Sequence, residues 1–138
     1  MDSMAGPIAR QPHRADSPNM RAVKEAFRAF TEEGVEAGVE SLLGHAHEDT
    51  EFRPYSASGE VLRGPGEVRA FFRARLDEGN EITLRPASFE EVGDEVVVHG
   101  SLRMVRSTGG FAESQLSWTY RFRDGLLEEA HWSPRHRT

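Results

Sequence analysis

The spacing of apolar residues changes once along the chain, near Asn80. Before that point they recur every three or four positions, which is the spacing of one face of an α-helix. This pattern predicts three helices, which end at Gly34, Gly44 and Gly79, and the third of them opens at Gly64. Their apolar stripes consist of Val23, Ala26, Phe27 and Phe30, then Val35, Val39, Leu42 and Leu43, then Val68, Phe71, Phe72 and Leu76.

In the second half of the chain apolar and polar residues alternate, which indicates strands that bury one face. Turn sequences at 93–94, 107–110 and 123–125 divide this region into four antiparallel strands. Residues 49–53 and 61–63 predict two shorter strands between the second and third helices. Because the helices must cover the apolar face of this sheet, the fold class is predicted to be α+β.

The predicted elements form a single domain over residues 18–134, which suits a chain of 138 residues. Residues 1–17 contain a glycine and two prolines among polar residues, and we expect them to form a disordered N-terminal tail. Residues 135–138 are predicted to be a loose C-terminal tail.

Composition excludes several classes of protein and site. The chain has no cysteine, which rules out disulfides, thiolate metal sites and a cysteine nucleophile. The net charge of −6 and the single lysine, Lys24, argue against binding to nucleic acid. No apolar run is long enough to cross a membrane and no secretory signal is present, so we expect a cytoplasmic protein with no membrane partner.

Five segments, in their order and spacing, resemble the SnoaL-like branch of the nuclear transport factor 2 (NTF2) superfamily, which includes ketosteroid isomerases and polyketide cyclases. The resemblance implies a cone in which a strongly curved, mostly antiparallel sheet wraps around three N-terminal helices. It also implies a small apolar ligand inside the cone and a homodimer through the outer face of the sheet. We expect no cofactor. The segments are residues 23–27, 47–54, 62–72, 93–98 and 118–125.

The same resemblance argues against ketosteroid isomerase activity. That reaction uses a carboxylate base together with a tyrosine and a protonated carboxylic acid that hold the oxyanion. Aligned on the family, these positions fall at Arg53, Phe27 and Trp118. An arginine side chain stays protonated in proteins and cannot abstract a proton, so all three functional groups are absent.

Acid/base chemistry of the polyketide-cyclase kind needs an acid or base within hydrogen-bond reach of the substrate. The resemblance to the cyclases implies that an acidic residue on a late strand fills this role. If Trp132 points inward, the alternation of a strand places Glu128 inward as well, where burial would raise its pKa. A salt bridge from Glu128 to Arg121 or Arg123 is the structural alternative. If the inward/outward alternation of this strand is shifted by one residue, Glu129 and His131 point inward instead. Glu128 and His131 are therefore both candidate catalytic residues.

The remaining histidines predict no metal centre. His45 and His47 form an H-x-H pair beside several acids, but they follow a helix end and are predicted to lie in a loop. A closed metal site needs three or four converging ligands. We therefore predict no metal site, and we expect His99 to lie on the outer face of the sheet, at the dimer interface.

Aromatic side chains dominate the predicted interior, and we expect the indole N–H groups of Trp118 and Trp132 to face a ligand oxygen. Three functions remain open: binding of a small apolar molecule, acid/base catalysis on a hydrophobic carbonyl or polyketide-like substrate, and a non-catalytic dimerisation or interaction module. A cavity below about 100 Å³ favours the module, because ligand sites measure several hundred Å³. The residues predicted to line the pocket are Phe27, Phe30, Phe52, Arg53, Tyr55, Phe72, Trp118, Tyr120 and Trp132.

Overall fold

The computed structural model describes residues 16–54 and 59–134, which form three helices and a six-stranded sheet. The helices precede the four long strands, and a short hairpin lies between the second and third helices, as the sequence predicts. The helices are α1 (Pro18–Glu32), α2 (Val35–Leu43) and α3 (Gly64–Asp77), and the strands are β1 (Ala46–Arg53), β2 (Leu62–Arg63), β3 (Glu81–Val92), β4 (Glu95–Val105), β5 (Phe111–Arg123) and β6 (Leu126–Pro134).

Helix α1 begins with a complete N-terminal cap. The hydroxyl of Ser17 accepts a hydrogen bond from the backbone N–H of Met20 at 3.0 Å, and Pro18 occupies the first helical turn. The same hydroxyl donates to the carboxylate of Glu91 on β3 at 2.8 Å. Ser17 therefore belongs to the domain, whereas the rest of the predicted N-terminal tail up to residue 15, and the C-terminal tail, lie outside the described residues.

The strand order in the sheet is β2-β1-β6-β5-β4-β3. All neighbours pair antiparallel except β1 and β6, which are parallel. Strand β1 begins at Ala46, three residues before the sequence pattern predicts, because β6 supplies the pairing. The backbone N–H of Leu127 donates to the carbonyl of His45 at 2.7 Å, and Ala46 pairs with Leu127.

Besides a register shift in the pairing of β1 with β6, two irregularities interrupt the ladder of the long strands. One lies in β3 between Pro86 and Ser88. The backbone of β3 passes so close to Gly100 of β4 that a Cβ atom on Gly100 would overlap the carbonyl of Arg85. The other lies between β5 and β6, next to Glu128. Such bulges bend a strand and increase its twist, which is consistent with a sheet that curves around the helices.

One apolar core lies between the helices and the inner face of the sheet. Its centre consists of Phe27 from α1 and Trp118 and Tyr120 from β5, which are almost completely buried. This arrangement confirms the predicted α+β class with three helices on a mostly antiparallel sheet. No helix among the described residues is long and apolar enough to span a membrane.

Candidate functional site

Aromatic rings from five elements meet at the centre of the cone. The ring of Phe27 lies 5.2 Å from that of Trp118, and the two tryptophan rings lie 5.9 Å apart, between centroids. On the other side, Phe52 and Phe72 lie 5.3 and 5.6 Å from Trp132. Edge-to-face packing at these distances contributes stability beyond simple burial, and the strand register places Trp118 directly opposite Trp132.

The packing leaves one small internal cavity of about 20 Å³. Phe30, Phe52, Phe72 and Trp132 line it, as predicted from the sequence, together with aliphatic side chains and Thr50. Phe27, Trp118 and Tyr120 are also buried in the cone but do not line this space. A volume of that size holds one water molecule at most, so an organic ligand does not fit into the cavity without displacement of a side chain.

Three polar atoms inside the cone have no hydrogen-bond partner among the described residues. They are the indole nitrogens of Trp118 and Trp132 and the hydroxyl oxygen of Tyr120. Burial raises the pKa of the Tyr120 hydroxyl well above its usual value, and the nearby indole of Trp132 lowers it in part. The Trp132 indole nitrogen and the Tyr120 hydroxyl do not form a hydrogen bond with each other. Buried polar groups are normally paired, so a cluster of three without partners is an exception that requires an explanation.

The expectation that Glu128 points inward with Trp132 is wrong. Trp132 and Ala130 do face the core, but the bulge in β6 makes Leu127 the next inward residue. Both glutamates therefore lie on the outer face, where Glu128 approaches Arg121 and Arg123 at 3.5 and 3.8 Å. This is the salt bridge that the sequence offered as the alternative. An acid/base role for Glu128 stays untested, and its position gives that role no support.

Arg53 also lies outside the cone, contrary to its predicted place in the apolar pocket. Thr50 and Phe52 take the inward positions of β1, so alternation turns Arg53 outward. Its Nε donates to Glu129 at 2.8 Å and its terminal nitrogen to Glu51 at 3.2 Å. Glu129 is bound from the other side by Arg121 at 2.9 Å. The hydrogen bond that Arg53 donates to Glu129 is the main reason that the pKa of Arg53 is raised.

An outer cleft of about 280 Å³ lies at the end of β6 beside Pro54. His131 is exposed and lines this cleft together with Arg53 and Trp132. Trp132 is only 5% exposed and also lines the internal cavity, so it is shared by the two spaces. A catalytic role for His131 remains a prediction, and Tyr55, which was expected nearby, lies outside the described residues.

The other described histidines, His45, His47 and His99, lie away from the cone. His99 is on the outer face, as expected, with its Nδ1 2.9 Å from the Ser117 hydroxyl and its Nε2 3.1 Å from Glu90. His47 lies in β1 rather than in the predicted loop, and its Nε2 is 3.3 Å from the carbonyl of Arg123. In the part of the chain that the structure describes, no three histidine or acidic side chains are arranged to hold a metal ion.

Comparison with known families identifies this architecture. The profile of the SnoaL-like domain matches residues 23–130. The chain belongs to the SnoaL-like family. This SnoaL-like protein therefore has the NTF2-type cone that its sequence segments implied. No curated protein matches it.

Solved structures share the fold of the SnoaL-like protein at low sequence identity. An NTF2-like protein of unknown function from Burkholderia pseudomallei has a TM-score of 0.73 and 24% identity, over 87% of this chain and 92% of that one. A protein assigned as a polyketide cyclase from Xanthomonas campestris has a TM-score of 0.68 and 16% identity, over 85% and 93%. Rv0760c from Mycobacterium tuberculosis, in complex with estradiol-17β-hemisuccinate, has a TM-score of 0.67 and 21% identity, over 85% and 93%.

Two features of the site have only a weak signal in the sequence. Trp132 is an ordinary inward residue of a strand, and nothing in its neighbours predicts that it lines two spaces. The cluster of unpartnered polar atoms follows partly from the alternation that places Trp118 and Tyr120 on one face. Whether their polar atoms find partners depends on side-chain packing between strands.

Proposed function

We propose that the protein binds a small apolar molecule in its cone and that the molecule enters past Trp132. The observation that carries this proposal is the position of Trp132 on both the internal cavity of about 20 Å³ and the outer cleft of about 280 Å³. Displacement of one side chain would join the two spaces. The two spaces together measure about 300 Å³, and the solvent-open outer cleft contributes nearly all of that volume.

The chemistry of the interior supports an apolar ligand. Phe52 and Phe72 pack against Trp132, and the cavity behind them is lined almost entirely by hydrocarbon. No charged side chain among the described residues is buried in the interior. The complex of the relative Rv0760c with estradiol-17β-hemisuccinate supports the same reading, since it is a similar fold with a bound small molecule.

The test is native mass spectrometry of freshly purified protein, combined with thermal shift against a panel of small apolar compounds. We expect a bound species of a few hundred daltons that organic solvent removes, or a rise in melting temperature with apolar compounds. Ala130→Val adds bulk next to the cavity and should abolish both signals. Ala112→Val is the matched control, because Ala112 lies on β5 outside the cavity.

A non-catalytic interaction module is the second candidate, and the size of the closed cavity favours it. At about 20 Å³ the cavity lies far below the roughly 100 Å³ that a ligand site would exceed. In that case the cone is simply a packed core. Absence of any bound species and of any thermal shift, in the wild type as in Ala130→Val, would favour the module and contradict ligand binding.

A homodimer through the outer face of the sheet is proposed for either function. The centre of that face carries half-buried, short side chains: Val97 pairs with Thr119, and His99 with Ser117. Charged residues such as Arg121 surround this centre. Sedimentation at high micromolar concentration should give twice the monomer mass, and Val97→Glu should give monomers. Val92→Glu, at an exposed position near the end of β3, is the control that should stay dimeric. A monomeric wild type would contradict the proposal.

A further inference from the structure

We propose that a surface cleft between α3 and β2 binds a linear zwitterion, in which a chain of methylene groups joins a carboxylate to an ammonium group. An ω-amino acid has this chemistry, and so does a lysine residue at the carboxyl end of a polypeptide. The site is separate from the cone and does not depend on the ligand proposed there. This α3 cleft measures about 310 Å³ and is lined by Glu60, Leu62, Glu67, Ala70, Phe71 and Arg75.

The arginine at one end of the α3 cleft is held in a fixed position. The guanidinium carbon of Arg75 lies 3.6 Å from the centre of the Phe71 ring, and one of its terminal nitrogens donates to the Phe71 backbone carbonyl at 3.3 Å. The Phe71 ring is itself held by the ring of Phe72, with 5.2 Å between the two centroids. A guanidinium that is already ordered loses little side-chain entropy when a ligand binds to it.

The neighbouring face of α3 shows what this arginine lacks. Arg69 and Arg73 donate to Glu40 and Glu36 of α2 at 2.7 and 3.0 Å. Arg75 forms no such salt bridge within the part of the chain that the structure describes. Its guanidinium is therefore positioned but not neutralised, and its remaining N–H groups can donate to the carboxylate of a ligand.

The opposite end of the α3 cleft is acidic. Glu67 accepts a hydrogen bond from the Arg63 backbone N–H at 2.8 Å, and the exposed Glu60 lies at the same cleft. Glu67 and Arg75 lie eight residues apart on one face of the helix. Each side chain reaches back by four residues, Glu67 to Arg63 and Arg75 to Phe71. Their charges are therefore about 12 Å apart, at about 1.5 Å per residue.

Apolar side chains lie between these two ends. Leu62 is 7% exposed, Phe71 is half-buried, and Ala70 adds a methyl group. A chain of methylene groups over this surface would bury apolar area on both sides, which is favourable. Since each ion pair occupies about 3 Å, the two charges of the ligand should be about 6 Å apart. The chain of 6-aminohexanoate has about this length.

The test is a titration followed in ¹⁵N-correlated NMR spectra, which report weak binding residue by residue. We suggest 6-aminohexanoate, hexylamine and hexanoate, which share one carbon chain and differ in their charged groups. The signals of Phe71 and Arg75 should move with 6-aminohexanoate. It should bind about two- to fivefold more tightly than hexylamine, because one exposed ion pair corresponds to a factor of about that size. Hexanoate should bind most weakly, since two glutamates line the cleft beside one arginine.

Two variants separate the role of Arg75 from a general effect on the fold. Arg75→Gln should reduce the affinity for 6-aminohexanoate to that for hexylamine. It should not weaken the binding of hexylamine, which shows that the cleft of the variant is still formed. Arg73→Gln is the matched control, because Arg73 belongs to the same helix but is bound to Glu36 outside the cleft. This control should leave the affinity for 6-aminohexanoate unchanged.

Equal affinities for 6-aminohexanoate and hexylamine would overturn the inference. So would signals that move only outside the α3 cleft, or an equal loss of affinity in Arg73→Gln. None of these results would change the proposal for the cone. Nα-acetyl-lysine distinguishes the two sources, because it has the charge spacing of 6-aminohexanoate and an acetamide group beside its carboxylate. Equal binding of both compounds supports a carboxyl-terminal lysine as the ligand, whereas loss of binding with the acetamide supports a free ω-amino acid.

Discussion

Gly38 of α2 lies so close to the ring of Phe30 in α1 that a Cβ atom at Gly38 would overlap three ring carbons. The absence of a side chain lets the two helices approach each other over that ring. Phe30 is buried and lines the internal cavity. The contact between these two residues therefore sets the position of one wall of the cone.

We predict that Gly38→Ala lowers the free energy of unfolding by about 1–3 kcal/mol, the usual cost of overpacking a core. A glycine-to-alanine change inside a helix normally stabilises the protein by up to about 1 kcal/mol. The predicted loss of stability is therefore opposite to the effect expected from helix propensity alone. Urea unfolding measures the difference. Gly66→Ala in α3 is the control, because a Cβ there meets nothing within 4 Å and should be neutral or stabilising.

Tyr120→Phe should stabilise the free protein at neutral pH by about 1 kcal/mol, because it removes a buried hydroxyl that has no partner. If the hydroxyl stabilised the fold through a hydrogen bond, the substitution would lower the stability instead. Thermal or urea unfolding at pH 7 decides between them. A loss of stability on this substitution would mean that the hydroxyl already has a partner in the folded protein.

The raised pKa of Tyr120 predicts a pH dependence at alkaline pH. The unfolded chain releases the tyrosine proton near pH 10, whereas the folded chain holds it to a higher pH. The stabilising contribution is therefore fully present below about pH 10 and is lost as the pH rises through the folded-state pKa. Urea unfolding between pH 8 and 11 should show this decrease in the wild type. Tyr120→Phe should lack that part of the decrease. Parallel plots of the free energy of unfolding against pH for the two proteins would contradict the prediction.

The two glutamates at the bulge of β6 should differ in their contribution to stability. Glu129 has 22% exposure of its side chain and salt bridges of 2.8 and 2.9 Å to two arginines, whereas Glu128 has 35% exposure and contacts of 3.5 Å or more. We expect Glu129→Gln to cost about 1 kcal/mol and Glu128→Gln less than about 0.5 kcal/mol. Urea unfolding at low and high salt checks both, and equal effects would contradict the ranking.

Trp132 should be more accessible to a quencher than Trp118. Trp132 lines the outer cleft, whereas Trp118 is completely buried behind it. In the single-tryptophan variants Trp118→Phe and Trp132→Phe, we expect acrylamide to quench Trp132 several times more strongly. Equal and weak quenching would indicate that Trp132 does not move in the free protein, which would weaken the proposed entry route.

Much of the architecture was predictable because the periodicity of a helix or strand is local. The stripe that contains Phe27 and Phe30, and the alternation that contains Trp118 and Tyr120, each identify an element and its buried face. The alternation of side chains along a strand also correctly predicted that Trp132 points inward. It failed at Glu128, because one extra residue in a strand reverses the alternation, and that bulge depends on pairing with Arg121 and Phe122 in another strand.

By itself, then, the sequence determined the order of the elements, the composition of the core and the SnoaL-like family, since these follow from residue type and short-range spacing. Only the tertiary structure decided the size of the internal cavity, the exclusion of Arg53 from the cone and the lack of partners for the indole and hydroxyl groups. These properties depend on how side chains from separate strands and helices pack against each other. In a close-packed interior these properties depend on small differences in the distances between atoms, which the local sequence pattern does not predict.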